Sequence, residues 1–158
     1  MGFWMLLTWS LDAQELIAGV IVSLVAALFA SRFFIHENAG WFLQPKRLGC
    51  LLYFVLVAYP VELVKANWDM AKRCYGGCKK LNPGIVKVPV NLTSDYGMSM
   101  LANCITNTPG TISLDITEQD GQVYYYIHWI DVTETDPEKA GEIIKGNMEK
   151  WARRIWEK

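Results

Sequence analysis

The sequence predicts a membrane-anchored α/β protein: two membrane-length apolar helices followed by a small sandwich of sheet and helices. Three observations carry this. Two long apolar runs fill the first half of the chain, charge is concentrated in the second half, and that half alternates strand and helix signals ending in a strong hairpin turn. Residues 1–68 hold four acids and four bases, whereas residues 69–158 hold twelve and eleven. The expected division is therefore an anchor over 1–68 and an α/β domain over 69–158.

The first run, from Leu16 to Phe34, carries a single charge, Arg32, near its end, where a long side chain can reach the headgroups. Its 19 residues approach the ~20 needed to cross a ~30 Å hydrocarbon core. The second run is bounded by Lys46-Arg47 and Lys65, and predicts a span over about residues 48–65. Met1 to Ser10 is too short for a crossing, and its Trp4 and Trp9 suit an interfacial anchor, as do Trp41 and Phe42 between the runs. Lys65, Lys72, Arg73, Lys79 and Lys80 follow the second run. By the positive-inside rule they place the C-terminal domain in the cytoplasm.

Glu62 to Cys74 keeps Leu63, Ala66, Met70 and Ala71 near helical spacing, so the second apolar helix is expected to continue and to end by Gly76-Gly77. After Asn82-Pro83-Gly84, residues 85–90 read as a short strand, with Pro89 assigning it to an edge. A helix follows from Asp95 to Thr106, stopped by Pro109-Gly110. Thr111 to Thr117 alternates strictly, with Ile112, Leu114 and Ile116 on the face expected to be apolar and half-buried. Asp120-Gly121 is a hairpin turn leading into a strand over 122–132. Val123, Tyr125, Ile127 and Trp129 share one face of that strand, and Tyr124, Tyr126 and His128 share the other. Asp136 caps a last helix with Pro137 at its first position, and a stripe from Ala140 through Ile143, Ile144, Met148 and Trp151 to Ile155 faces the core. The outward sheet face and Trp156 offer aromatic surface suited to a protein contact.

A net charge of −1 and a nearly balanced C-terminal half argue against nucleic-acid binding, which normally requires a basic face. Four cysteines, one of them inside an apolar run, do not form a disulfide framework.

Several blocks in order resemble the E subunit of Mrp-type multisubunit sodium/proton antiporters, and the matching subunit of archaeal membrane-bound hydrogenase and sulfane sulfur reductase complexes. The first is Pro60-Val61-Glu62-Leu63-Val64-Lys65-Ala66-Asn67, and the second is Asn82-Pro83-Gly84-Ile85-Val86-Lys87-Val88-Pro89. Then come Leu101-Ala102-Asn103-Cys104-Ile105-Thr106, Thr108-Pro109-Gly110-Thr111 and Ile127-His128-Trp129-Ile130-Asp131-Val132. The resemblance implies a subunit without catalytic residues, cofactor or metal of its own. Its partners would be the lipid bilayer and the larger subunits that carry the ion path. It also implies a structural motif formed by Asn103, Thr106, Thr108, Pro109, Gly110, Thr111, His128 and Trp129.

Among individual residues, Glu62 is the one carboxylate within either predicted span, and an acid near lipid is a candidate for an ion path or subunit coupling, with Lys65 three residues on as its partner. A Glu-Lys pair at that spacing is equally an ordinary surface pair. Cys74 and Cys78 raise a thiol-redox enzyme as an alternative function, although two thiols do not close a metal site. A ligand-sensing domain is the other alternative. His128 suggests a pH-sensitive group, with a packing residue as the plainer expectation.

Overall fold

The computed structural model describes residues 2–10, 12–33, 44–76 and 81–157. Trp41, Phe42, Cys78, Lys79 and Lys80 lie outside them. The chain forms two compact units, residues 1–43 and 44–158.

In the first unit, α1 (Gly2–Thr8) packs against α2 (Ala13–Phe33). Trp4 lies over Gly19, where a Cβ would come within 2.6 Å of its Cδ1 atom. Trp9 turns the chain between the helices with φ 52°, a left-handed conformation. Apart from Gly19, α2 buries nothing, so its apolar side chains face outward all the way round.

The second unit opens with one continuous helix from Pro45 to Tyr75. It comprises α3 (Pro45–Tyr53), a π-helical turn over Phe54–Ala58, and α4 (Tyr59–Tyr75). The cause of the π turn is in the sequence. Pro60 has no N–H to give the carbonyl four residues back, and its ring clashes with that carbonyl, so the preceding turn widens. Both α2 and the 45–75 helix are long and apolar enough to cross a membrane. As expected, the second helix continues past the apolar run and ends at Tyr75, with Gly76 closing it by donating to the Lys72 carbonyl.

The remainder is a three-stranded antiparallel sheet with helices on one face. Strands β1 (Gly84–Val90), β2 (Thr111–Gln119) and β3 (Gln122–Trp129) lie in the order β1-β3-β2, so β1 is an edge strand, as Pro89 required. Asp120 and Gly121 form the β2–β3 turn with φ of 52° and 78°, the two positive values that a type I′ turn demands. Helix α5 (Asp95–Asn107) covers the sheet with α6 (Pro137–Lys145) and α7 (Met148–Trp156). The core contains Val86, Val88, Val90, Leu101, Ile105, Tyr125, Ile127, Ile144, Met148, Ala152 and Ile155, and reaches Phe54 of the long helix.

The structure corrects three details of the sequence reading. The last helix is two: Gly146 takes φ 48° after α6, and the chain restarts at Met148, leaving Ile143 exposed rather than in the core stripe. The apolar set of β2 faces outward, since Ile112, Leu114 and Ile116 are exposed. Thr111 and Ser113 turn inward instead, donating their hydroxyls to the Ile105 and Ala102 carbonyls of α5, and a bulge between Ser113 and Asp115 breaks the strict alternation. Trp156 is partly buried, its ring stacked on Tyr96 at 5.3 Å, and so adds little to an exposed aromatic surface.

Candidate functional site

The predicted motif between α5 and β2 forms a closed turn. Thr108 and Thr111 hydroxyl oxygens each lie 2.7 Å from the Ile105 carbonyl oxygen and 2.9 Å from each other. Thr106 accepts from the Ser113 N–H at 3.1 Å, and Asn103 donates to the Ser99 carbonyl at 2.9 Å. The two threonine hydroxyls join the Thr108 N–H on the Ile105 carbonyl, whose usual helical donor four residues on is the N–H that Pro109 lacks. Gly110 then takes φ 99°, and a Cβ there would meet Ile130 at 2.9 Å and Met70 of α4 at 3.1 Å. The bare glycine lets the long helix approach the turn, while its carbonyl accepts from the Ile130 N–H at 2.9 Å.

His128 and Trp129 go to opposite faces. Trp129 packs against the core, paired with Thr111 and Gly84, whereas His128 sits on the outer face between Ile85 and Ile112 in register. The motif residues therefore do not converge on one reactive centre. Its group nearest to chemistry is the Cys104 thiol, which burial pushes up to about 11, away from the nucleophilic thiolate.

Glu62 and Lys65 meet on the long helix, Nζ to Oε1 3.2 Å, with the lysine side chain 65% and the glutamate 29% exposed. Glu62 also lines a cavity of about 220 Å³ beside the π turn, walled by Tyr53, Phe54, Ala58, Met148 and Trp151. This is an apolar, aromatic recess with one carboxylate at its margin. π turns inside α-helices occur frequently at functional sites.

The sequence reading missed the polar latches that hold the long helix to the domain. Near one end, the Arg47 guanidinium donates to the carbonyls of Ile155 and Glu157, 3.2 and 3.0 Å away, at the C-terminus of α7. Near the other, Arg73 pairs with Asp69 at 2.9 Å and also with Asp131, just beyond β3. Arg47 was visible only as a charge flanking an apolar run, and Asp131 only as part of a block; nothing in the sequence links either to a partner 58 or more residues away. Equally unread was Lys145, which is buried, pairs with Glu149 at 2.8 Å and donates to the Pro89 carbonyl. Tyr125 donates to the Met98 carbonyl at 2.7 Å, and burial raises its phenol further, with the Glu149 charge adding to the effect. Among the described residues, no three of His, Cys, Asp and Glu gather at metal-ligand spacing. Cys74 is exposed, and its expected partner Cys78 is outside the described residues.

Long apolar helices, a one-sided three-stranded sheet and latches between the second of those helices and the sheet domain define a membrane-associated protein built for packing. The chain belongs to the Na+/H+ ion antiporter subunit family (MNHE), whose sequence model matches residues 1–155. It is 33% identical over 152 residues to the E subunit of the Na(+)/H(+) antiporter of Bacillus subtilis (strain 168), covering 96% of this chain and 90% of that one. It is also 33% identical over 123 residues to the corresponding E subunit of Alkalihalophilus pseudofirmus, covering 78% and 73%. Among solved structures it is similar to a chain of the membrane-bound sulfane sulfur reductase (MBS), an archaeal respiratory membrane complex. That match has a TM-score of 0.76 at 41% identity and covers 98% of this chain and 92% of that one.

Proposed function

We propose that this protein is a non-catalytic membrane subunit of a multisubunit cation/proton antiporter module, supporting assembly and ion translocation carried out by larger subunits. The observation that carries this is the whole-length family match over residues 1–155, supported by the match to a chain of a respiratory membrane complex over 98% of this one. Its partners are other subunits of such a complex and the lipid bilayer. Residues 1–68 anchor the chain, and residues 69–158 form an α/β domain on the cytoplasmic side. The run of cations from Lys65 to Lys80 supports that placement by the positive-inside rule.

Within this reading Glu62, with Lys65, is the group placed to couple the chain to its neighbours. It sits beside the π turn, at the margin of an apolar recess that a neighbouring side chain could enter.

The test is a pull-down of the tagged chain from mildly solubilised membranes, with co-purifying proteins identified by mass spectrometry. Large antiporter-type membrane subunits are expected, and added iron–sulfur or nickel–iron subunits would mark a respiratory parent complex. Recovery of the chain by itself would overturn the subunit reading. Glu62→Gln is expected to lower ion exchange by the complex with assembly intact; unchanged exchange removes the coupling role.

A further inference from the structure

We infer that the 45–75 helix does not cross the bilayer but lies along its surface, with the α/β domain on its inner side and lipid on the other. The inference rests on the membrane-subunit reading and refines it. The decisive observation is that one domain holds both ends of the helix. Arg47, near the start, is held by the final carbonyls of α7, and Arg73, near the finish, by Asp131. If the helix spanned, those ends would face opposite sides of the membrane. A single folded domain cannot be on both.

The contacts between the ends give the same result. Tyr53 and Phe54 have ring centroids 5.5 and 6.1 Å from that of Trp151 in α7. Ala58 and Glu62 share a recess with Met148, and Met70 approaches Gly110. Helix α7 thus runs antiparallel to α3, and its first turn shares the recess with Ala58 and Glu62, within the stretch whose composition reads as a span. From Arg47 to Arg73 is about 39 Å at 1.5 Å per residue, longer than the ~30 Å hydrocarbon core. Inserting the helix would draw α7, with Glu149, Arg153, Arg154 and Glu157, into hydrocarbon. Each charge at the bilayer centre costs several kcal/mol or must reach the headgroups.

The sequence pattern fits a surface helix. Its domain side follows Arg47, Cys50, Leu51, Phe54, Ala58, Glu62, Ala66, Met70 and Arg73 at spacings of one to four residues, all partly or fully buried. The extra residue of the π turn sets the later faces back, which keeps this stripe aligned past Pro60. On the opposite side Leu52, Leu56, Val64 and Trp68 are exposed, the last three at 70%, 69% and 66%. Lys46, Lys65 and Lys72 project from the same helix with exposed side chains. Large apolar residues, a tryptophan and flanking lysines suit an interfacial helix sunk ~5–10 Å into the headgroup and acyl boundary, with the lysines meeting anionic lipid phosphates. This arrangement also puts Lys46 and Arg47 on the same side of the membrane as Lys65, Lys72 and Arg73. It removes the one set of cations that two crossings would strand on the outer side.

The test is sidedness in native membrane vesicles holding the full chain. Gln44→Cys and Glu138→Cys, each in a Cys74→Ser, Cys78→Ser background, are treated with an impermeant maleimide. Labelling of both in inverted vesicles, and of neither in right-side-out vesicles, is expected. Labelling from opposite sides would overturn the surface helix and leave the antiporter-subunit reading standing. A nitroxide scan at Leu52, Leu56, Val64 and Trp68 supplies a second readout, from collision with lipid-soluble oxygen and aqueous nickel. The expected outcome is high oxygen access at a common shallow depth. Depths that change steadily along the ~24 Å from 52 to 68 at 1.5 Å per residue, or oxygen access lost to a covering protein, would contradict the proposal.

Discussion

Helix α2 and the 45–75 helix pass the same test of length and hydropathy, yet their surfaces differ. Apart from Gly19, α2 shows no buried residue, and Ile17, Val20, Ile21, Leu24, Val25, Leu28 and Phe29 are exposed around it. A helix that is apolar all round needs an apolar solvent on every side, which is the condition of a membrane span. The 45–75 helix has a domain side fastened by Arg47, Phe54 and Arg73 and an outer side of Leu56, Val64 and Trp68. Similar hydropathy thus conceals two solvation problems, and the arrangement of residues round the helix tells them apart.

The largest effect that would sharpen this contrast is a charge at the middle of each helix. Leu24→Arg in α2 is expected to cost about 2.5–3.5 kcal/mol of insertion, roughly a hundredfold, read as the membrane-integrated fraction after carbonate extraction. Leu56→Arg, whose guanidinium needs to travel only a few ångströms to the headgroups, is expected to leave integration unchanged. Equal losses at the two positions would erase the distinction.

Next in size is an alkaline effect confined to the α/β unit. The Cys104 thiol is raised from 9.0 to about 11 by burial, so the folded chain holds its proton where the unfolded chain has released it. The contribution is fully present below pH 9 and is lost as pH rises through 11, amounting to about 2–3 kcal/mol. Thermal unfolding of the detergent-solubilised chain should show this loss between those values, and Cys104→Ala should reduce it, leaving the part above pH 10 that the buried Tyr125 phenol contributes. An alkaline profile unaltered by Cys104→Ala would be inconsistent with a buried neutral thiol.

Gly110→Ala comes third. It forces a Cβ into left-handed backbone and against Ile130 and Met70, for an expected loss of about 1–3 kcal/mol in thermal unfolding. Gly121→Ala, also at positive φ but with open space around it, separates strain from contact. If both lose equally, the approach of α4 to the turn has no measurable weight. The smallest effect is the Arg73–Asp131 latch. Both partners are partly solvated, so a double-mutant cycle with Arg73→Ala and Asp131→Ala should give a coupling of about 1 kcal/mol or less.

What could be read from the sequence was local. The Asp120-Gly121 turn, the Asp136 cap with Pro137, the Pro109-Gly110 stop and the edge position imposed by Pro89 each depend on chemistry within a few residues, and each holds. Where a local pattern had to yield to tertiary contacts, the reading failed. The alternation of Ile112, Leu114 and Ile116 predicted an apolar inner face. That face is set instead by the hydroxyls of Thr111 and Ser113, bonded to carbonyls of α5. In the candidate site, the threonine turn could be read as a local run of threonine, proline and glycine between a helix and a strand. The recess beside Glu62 could not, because three of its walls, Asn147, Met148 and Trp151, lie more than 80 residues away in the sequence. Charge density rises after residue 68, whereas compaction divides the chain after Leu43. The first marks where charged residues become frequent. The second shows that an apolar helix can belong to a charged domain.

The contact of α7 with the long helix is where a surface helix and a spanning one differ most directly. Tyr53→Cys with Trp151→Cys, in a background free of other reactive cysteines, should be bridged by a short bis-maleimide in native membranes, giving an intramolecular product. A control pair, Asn91→Cys with Arg153→Cys, reports on the fold of the domain itself, since the Arg153 guanidinium donates to the Asn91 carbonyl at 2.8 Å. Bridging of both pairs is the predicted result. Bridging of the control alone would show a folded domain apart from that helix and would contradict the surface placement.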